Sequence, residues 1–364
     1  MTMSERIDRI TLPSGLGIGH GHSCFVVAEI GNNHQGKLEM AKEMIYAAAE
    51  AGADAVKFQK RDTPSLLTAE GMAAAYTGPN SFGPTYGEHR DALELSIEEM
   101  AQAKDLTERL GMVFFASAWD PVSLEQTLDL GVELIKIASA DLVCLPTLRR
   151  IGRSGVPVVL STGMSTWEEI DQAVAELRAY HENIVLLHCN SSYPCPEEDI
   201  ALPVMDALLQ RYGLPVGYSG HEEGLAPTLA AVARGASVVE RHFTLNKMLP
   251  GTDHRASLEP AQLKSLIGMI REVERAMRQT DKIVTPKEDG AAKKLRKSVV
   301  AARDIKAGEV LTEEHLTVKS PGTGISPLYW DDVLGLKAAR DIEADTLLTW
   351  DLVGHLHLAN RKTA

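Results

Sequence analysis

Eight short apolar runs, each separated from the next by a segment of helical character, constrain this chain more than any other feature. They fall at residues 25–29, 55–58, 112–115, 134–138, 157–160, 184–187, 215–218 and 237–240. Between them lie helix-like stretches such as 38–51 (LEMAKEMIYAAAEA) and 167–178 (WEEIDQAVAELR). Several of the intervals close on a glycine just before the next run, as at Gly52, Gly111, Gly131, Gly155 and Gly235. Strands that alternate with helices eight times predict an α/β fold of one kind, a closed parallel (β/α)8 TIM barrel. The interval from 58 to 112 is too long for one crossover, so it is expected to carry a helix near 93–110 and an added loop over the barrel mouth, where a lid belongs.

In such a barrel the chemistry gathers where strands end and loops begin. Polar residues crowd that boundary in nearly every unit: Glu29, Lys57 with Gln59, Ser117, Lys136 with Ser139, Ser161 with Thr162, His188 with Asn190, Ser219 with His221, and Glu240 with His242. An interior filled only for packing takes branched apolar side chains, and charged groups facing inward are costly unless they bind something charged. Side chains alternate along a strand, so Ser219 shares a face with His221, and Glu240 with His242. On neighbouring strands the two imidazoles converge at one rim and suit a divalent cation with positions left open for substrate and water; apart, each is a hydrogen-bonded core histidine.

Lys57 and Lys136 are expected to point inward near the same rim, where they neutralise a phosphate or carboxylate. Ser139, Ser161, Thr162, Ser191 and Ser219 add donors, and the Ser165/Thr166 pair followed three residues later by Glu168/Glu169 marks a capped helix start close to the anion. A Schiff-base role for Lys136 is the competing reading, and it has no need of the histidine pair. Glu29 is placed to hold sugar hydroxyls or to move a proton, and the loop 31–36 that follows carries amides suited to hydroxyl recognition. His34 in that loop reads as a capping residue more readily than as a ligand.

A formal charge of −13 on 364 residues excludes nucleic acid and anionic membrane surfaces as partners, since both need a basic footprint. No run approaches the roughly 18 apolar residues of a membrane helix, and the start MTMSERIDRI has no signal-peptide pattern, so a cytoplasmic protein is expected. Cys24, Cys144, Cys189 and Cys195 lack metal-finger spacing and read as reduced, buried thiols. The length fits a catalytic domain over 1–280, a polar Lys-rich linker over 281–297 and a small domain over 298–364. In that last domain AARDIKAGEVLT (301–312) and AARDIEADTLLT (338–349) repeat one another, which predicts a mostly-β unit of two related halves, with a glycine-rich loop at 321–324 and a short helix near 328–334 between them.

Seven segments carry a family resemblance: AEIGNNHQG (28–36), DAVKFQ (54–59), IKIASAD (135–141), LSTGMST (160–166), HCNSSYPCP (188–196), YSGH (218–221) and ERHFTLNKMLPGTDHRASLEP (240–260). With them the chain resembles the sialic acid synthases over about residues 25–353. These enzymes join phosphoenolpyruvate to an N-acetylated amino sugar. The resemblance implies that His221 and His242 bind a divalent metal, Mn2+ or Mg2+. It implies that Lys57, Lys136, Ser139, Ser161, Ser191 and Ser219 hold phosphoenolpyruvate. Glu29, Gln59, Asn80, Tyr193 and Asp253 then face the open-chain sugar or its approach, and Asp141 is a partner in proton transfers. The last domain is similar to the family's antifreeze-like (SAF) domain, which covers the partner's barrel in a domain-swapped homodimer.

Three departures from the family pattern stand out. Gly220 sits where an Asp commonly separates the Ser and His of the seventh-strand motif. Ser320-Pro321-Gly322 replaces an Arg-Pro-Gly whose arginine reaches the sugar's N-acetyl group. Lys60-Arg61-Asp62 makes the lid side more basic than in many relatives. The expected sugar is N-acetylmannosamine or a diacetamido relative, as in legionaminic acid synthesis. The alternatives are another phosphoenolpyruvate-dependent 3-deoxy keto acid synthase, which takes a phosphorylated sugar and needs a second basic cluster such as Lys60 with Arg61, and an inert glycan-binding protein of polysaccharide assembly.

Overall fold

A computed structural model describes residues 7–354. The chain divides into two compact units, one ending at Gln279 and the other beginning at Thr280. Residues 355–364, which the sequence reading gave to the small domain, lie outside the described residues.

The first unit opens with an antiparallel hairpin, β1 (Arg9–Thr11) with β2 (Gly17–Gly19). Eight parallel strands follow: β3 (Phe25–Gly31), β4 (Ala55–Lys60), β5 (Val113–Ala118), β6 (Ile135–Ile137), β7 (Val158–Ser161), β8 (Ile184–Cys189), β9 (Val216–Gly220) and β10 (Val238–His242). They close into a barrel in chain order, with β10 pairing back onto β3. Each strand lies on one of the eight apolar runs, and the fold is the expected TIM barrel. Helix Leu38–Ala51 shows why the intervals fold as they do. Its buried residues Ala41, Met44, Ile45 and Ala48 recur at helical spacing on one face, and Gly52 ends it in the left-handed region at φ 89°.

Between β4 and β5 the chain forms three short helices, Thr63–Leu66, Ala69–Ala73 and Tyr86–Asp91, before the longer Ile97–Arg109. The last starts at 97 rather than 93. Ser96 and Glu99 form a reciprocal capping box there, while Leu93 and Leu95 are buried ahead of the cap as core residues.

The second unit begins with helix Pro286–Leu295, capped by Thr285 and Glu288, inside the stretch expected as a linker. Its Lys-rich composition belongs to a solvated helix. Strand β11 (Ser298–Ala301) pairs antiparallel with β12 (Leu316–Lys319), and Trp330–Val333 supplies the expected short helix. The repeated halves meet symmetrically. Ile305 and Ile342, equivalent in the repeat, exchange backbone hydrogen bonds of 2.8 and 2.9 Å. Asp341 accepts from Ala307 N and its counterpart Asp304 from Ala344 N, both at 2.8 Å. The sequence repeat is thus a local twofold, with Val299, Ile305, Leu311, Ile342 and Leu348 as its core. Among the described residues, no helix is long and apolar enough to cross a membrane.

Candidate active site

Alternation along the barrel strands builds the site. Near the strand starts the inward face is apolar: Val27, Ala55, Phe115, Leu134, Val159, Leu187 and Val238 pack together with Ile10 and Ile18 of the hairpin. Two residues further along each of those seven strands the same face becomes Glu29, Lys57, Ser117, Lys136, Ser161, Cys189 and Glu240. These line one cavity of about 230 Å3 together with Gln59, Ser139, Ser191, Tyr193, Ser219, His221 and His242. A larger cavity of about 720 Å3 lies at the opposite end, bounded by Gly19, Cys24, Gly235 and Met277 together with charged residues such as Asp8, Arg234 and Glu274.

Charge is organised around Lys57. Its Nζ lies 3.2 Å from Glu29 Oε2 and 3.2 Å from Glu240 Oε1, all three side chains buried. Burial alone lowers a lysine, but Glu240 and Glu29 outweigh it and hold Lys57 above its ordinary range. Glu240 answers in kind: burial raises it, yet Lys57 and Lys136 hold it well below the usual carboxylate range. Lys136 lacks a contacting carboxylate, and burial pushes it down to about 8 against the pull of Glu240. Its Nζ donates to Ser161 Oγ at 2.6 Å and to Ile137 O at 3.0 Å. Ser139 Oγ accepts from Gly163 N at 3.1 Å, beside Ser191 and Cys189.

The two histidines do meet. β9 and β10 are neighbours, and the rings of His221 and His242 stand 5.4 Å apart between centroids. The Tyr193 ring lies 4.0 Å from His221. Burial lowers both imidazoles, so each is neutral near pH 7. His221 Nδ1 donates to Asn190 O, which leaves its Nε2 with a free lone pair. His242 Nδ1 has no hydrogen-bond partner; Asp253 Oδ2 is 3.9 Å away, too far for one. Two neutral imidazoles facing one cavity fit a divalent cation as donors. Among the described residues no group of three or more His, Cys, Asp or Glu side chains is disposed to hold a metal, so the protein's share would be these two rings.

Other expected residues lie outside the cavity wall. Asn80 accepts from Gly251 N at 3.1 Å and ties the lid segment to the loop after β10. Asp253, hydrogen-bonded to Thr252, stands behind His242. Asp141 ends a short turn after β6, with one buried oxygen unpartnered and burial pushing its pKa up to about 6.

Three expectations need correction. Thr162 follows inward-facing Ser161, so it turns away and donates to Leu187 O at 3.0 Å. His188 likewise precedes inward-facing Cys189 and bonds Ile200 O, which puts a thiol in the cavity in place of an imidazole. Lys60 and Arg61 form no free basic cluster: both bind Glu94, and Arg61 lies over Trp119 at 4.6 Å while donating to Gln59. Glu240 was legible as a boundary residue, but not as the carboxylate shared with Lys57.

Comparison with known proteins agrees with this architecture. A model of the NeuB family matches residues 44–282, and one of the SAF domain matches 296–354. The chain is 39% identical over 346 residues to N-acetylneuraminate-9-phosphate synthase of Homo sapiens, spanning 94% of this chain and 96% of the human one. It is 37% identical over 340 residues to N,N'-diacetyllegionaminic acid synthase of Legionella pneumophila, spanning 92% and 95%. The crystal structure of N-acetylneuraminic acid (sialic acid) synthetase from Leptospira borgpetersenii, in complex with citrate, superposes with a TM-score of 0.69 at 32% identity, over 78% of this chain and 94% of that one. By the match of the NeuB model over 44–282 and 39% identity across 94% of its length, this chain belongs to the NeuB family, the sialic acid synthases, with a SAF domain following the barrel.

Proposed function

We propose that this protein condenses phosphoenolpyruvate with the open-chain form of an N-acetylated amino sugar, N-acetylmannosamine or a diacetamido relative, to give a nine-carbon 2-keto acid and phosphate. The observation that carries the reading is the meeting of Lys57, Lys136, His221 and His242, on or directly after four strands, in one cavity. The charges lining that cavity cancel, since two lysines face Glu29 and Glu240. An anion bearing both a phosphate and a carboxylate needs more positive charge than that. His221 and His242 would hold a manganese or magnesium ion, which when bound would supply that charge and Lewis-acid polarisation of an aldehyde oxygen.

The remaining roles fall to the chain's own residues. Lys136 and Ser161, already hydrogen-bonded, hold one end of phosphoenolpyruvate; Ser139, Ser191 and Ser219 supply further donors, and Lys57 is the permanent charge beneath them. Glu29, oriented by Gln59 Nε2 at 2.8 Å, holds sugar hydroxyls or moves a proton. Tyr193, Asn80 and Asp253 border the sugar's approach. Asp141, with its pKa near 6, exchanges a proton at neutral pH. The methylene carbon of phosphoenolpyruvate bonds to the aldehyde carbon, whose oxygen takes up a proton. Water then adds to the former enol carbon, and the carbon–oxygen bond to phosphate breaks.

A phosphorylated sugar is the second reading, because the human relative is named as a 9-phosphate synthase. The pairing of Lys60 and Arg61 with Glu94 weighs against it. The test is phosphate release from phosphoenolpyruvate with manganese, across a panel holding N-acetylmannosamine, its 6-phosphate and diacetamido hexoses. Release that requires an unphosphorylated N-acylated sugar, and stops on chelation, is expected. Full turnover by His221→Ala after chelation would remove the metal from the reading, and silence with every sugar would remove the synthase. The family's swapped homodimer is part of the proposal, and a monomeric, fully active species in light scattering would oppose it.

A further inference from the structure

Behind the two histidines, on the outer face of the strands, lies a buried ion pair that takes no part in the cavity. Arg241 and Gly220 are register partners on β10 and β9, facing away from the inward Glu240 and Ser219. The side chains of Arg241 and Glu222 are 0% and 1% exposed. One Arg241 nitrogen donates to Glu222 Oε1 at 3.0 Å, Thr228 Oγ1 at 2.8 Å and Gly224 O at 3.0 Å, and the other donates to the Glu222 carbonyl. Tyr218 donates to Glu222 Oε2 at 2.8 Å and Thr228 to Oε1 at 2.7 Å, so both carboxylate oxygens are satisfied.

The network is next in sequence to both imidazoles: Glu222 follows His221, and Arg241 precedes His242. It also explains the glycine. A Cβ at position 220 would lie 2.5 Å from Glu222 Oε2, 2.7 Å from Tyr218 Cε1 and 3.0 Å from Arg241 Cδ. The Glu222 carboxylate therefore occupies the space that a side chain at 220 would take.

We propose that Glu222, through its pair with Arg241, is the positioning residue that fixes the separation of His221 and His242, and that Gly220 is what gives it room. The inference rests on the reading that these histidines hold a cation. A buried pair adds little net stability over a well-packed apolar substitute, but it pins two strand ends at a defined spacing, and groups behind metal ligands are worth about 10–100-fold in affinity.

The test uses the full-length protein with Mn2+ alone as the probe, its uptake followed by electron paramagnetic resonance. Ring nitrogen resonances of His221 and His242 are recorded without metal, together with the thermal midpoint. Glu222→Gln is expected to weaken Mn2+ binding about 10–100-fold and to shift both rings. Gly220→Asp alone should do the same, because two carboxylates contest one space. Gly220→Asp with Glu222→Ala returns a single carboxylate from the other position and should recover binding to within about threefold. If Glu222→Gln fails to fold, the apolar pair Glu222→Met with Arg241→Met is expected to fold and still lose affinity. Unchanged rings with unchanged affinity in Glu222→Gln overturn the proposal, as does affinity lost only in step with thermal stability. A wild-type protein that takes up no Mn2+ overturns the metal reading instead, and the ring resonances still decide whether Glu222 sets the spacing.

Discussion

On the proposed anion role of Lys57 and Lys136, raising the pH through about 8 is expected to strip phosphoenolpyruvate of one of the two. Lys136 is buried without a contacting carboxylate and loses its proton near there, whereas Lys57, held between Glu29 and Glu240, keeps its own. A hydrogen bond to a charged group is worth roughly 1.5–3 kcal/mol, which is about 10- to 150-fold in affinity. KM for phosphoenolpyruvate should be flat below pH 8, climb about tenfold per pH unit above it, and level off within that range because Lys57 remains. Lys136→Arg should erase the break, and Lys136→Met should begin at the upper plateau and stay there. The assay is initial-rate phosphate release from pH 6.5 to about 9.5 with magnesium and saturating sugar.

The same lysine makes a stability prediction of definite sign. Unfolded, it keeps its proton to about 10.5; folded, it lets go from about 8. Below pH 8 both states are protonated and the cost of burying the charge is fully present, so stability rises with pH between 8 and 10.5. The gap corresponds to about 3 kcal/mol, so Lys136→Met is expected to stabilise the fold at pH 7 by about 1–3 kcal/mol while it weakens binding. A break that persists in Lys136→Met, or a lower Tm for that variant, would refute the reasoning.

Three further outcomes are expected. Gly163→Ala places a Cβ 2.4 Å from Ser191 Oγ and 2.8 Å from Ser139 Oγ, so KM for phosphoenolpyruvate should rise about tenfold with Tm nearly unchanged; an unaltered KM would remove those hydroxyls from the anion site. Thr166→Ala breaks the capping box with Glu169 and should cost about 1 kcal/mol in urea unfolding, and a change in KM would contradict its purely structural role. Arg61→Met frees the Gln59 amide that faces Glu29, so KM should rise several-fold for the amino sugar and hardly at all for phosphoenolpyruvate; the opposite order in steady-state kinetics would place Arg61 on the anion side.

Much of this site was legible before any coordinates, and what was missed has a common cause. Apolar periodicity announced all eight strands, and inward charge at strand ends is too costly to be accidental, which singled out Lys57, Lys136 and the histidines. The errors at Thr162 and His188 came from reading the strand ends as clusters without following the alternation through them. Val185 and Leu187 fix the inward parity of β8 and lead to Cys189, as Val159 leads to Ser161. Glu240 was harder. Its bond to Lys57 spans two strand neighbours and exists only because β10 closes against β3, which in turn pairs with β4. The Glu222–Arg241 pair was out of reach, since its outward face depends on the Arg241–Gly220 register.

The two ends of the barrel interior divide the work in a way that follows from charge burial. A layer of two lysines and two carboxylates inside a protein cannot hold the barrel together, because what Lys57 gains from Glu29 and Glu240 is largely spent on desolvating all three. Cohesion comes from apolar layers instead: the large core between strands and helices, with Val56, Phe58, Leu160 and Leu186, and inside the barrel the layer below, where Ile10 and Ile18 of the hairpin join Phe115, Val159, Leu187 and the other apolar residues. The hairpin completes that interior apolar floor, so its contribution is to stability and not to the chemistry above it. Ile10→Ala should therefore lower stability by about 2–5 kcal/mol in urea unfolding while leaving kcat of the remaining folded enzyme within about twofold, and a loss of kcat with unchanged stability would show that the two layers are not separable.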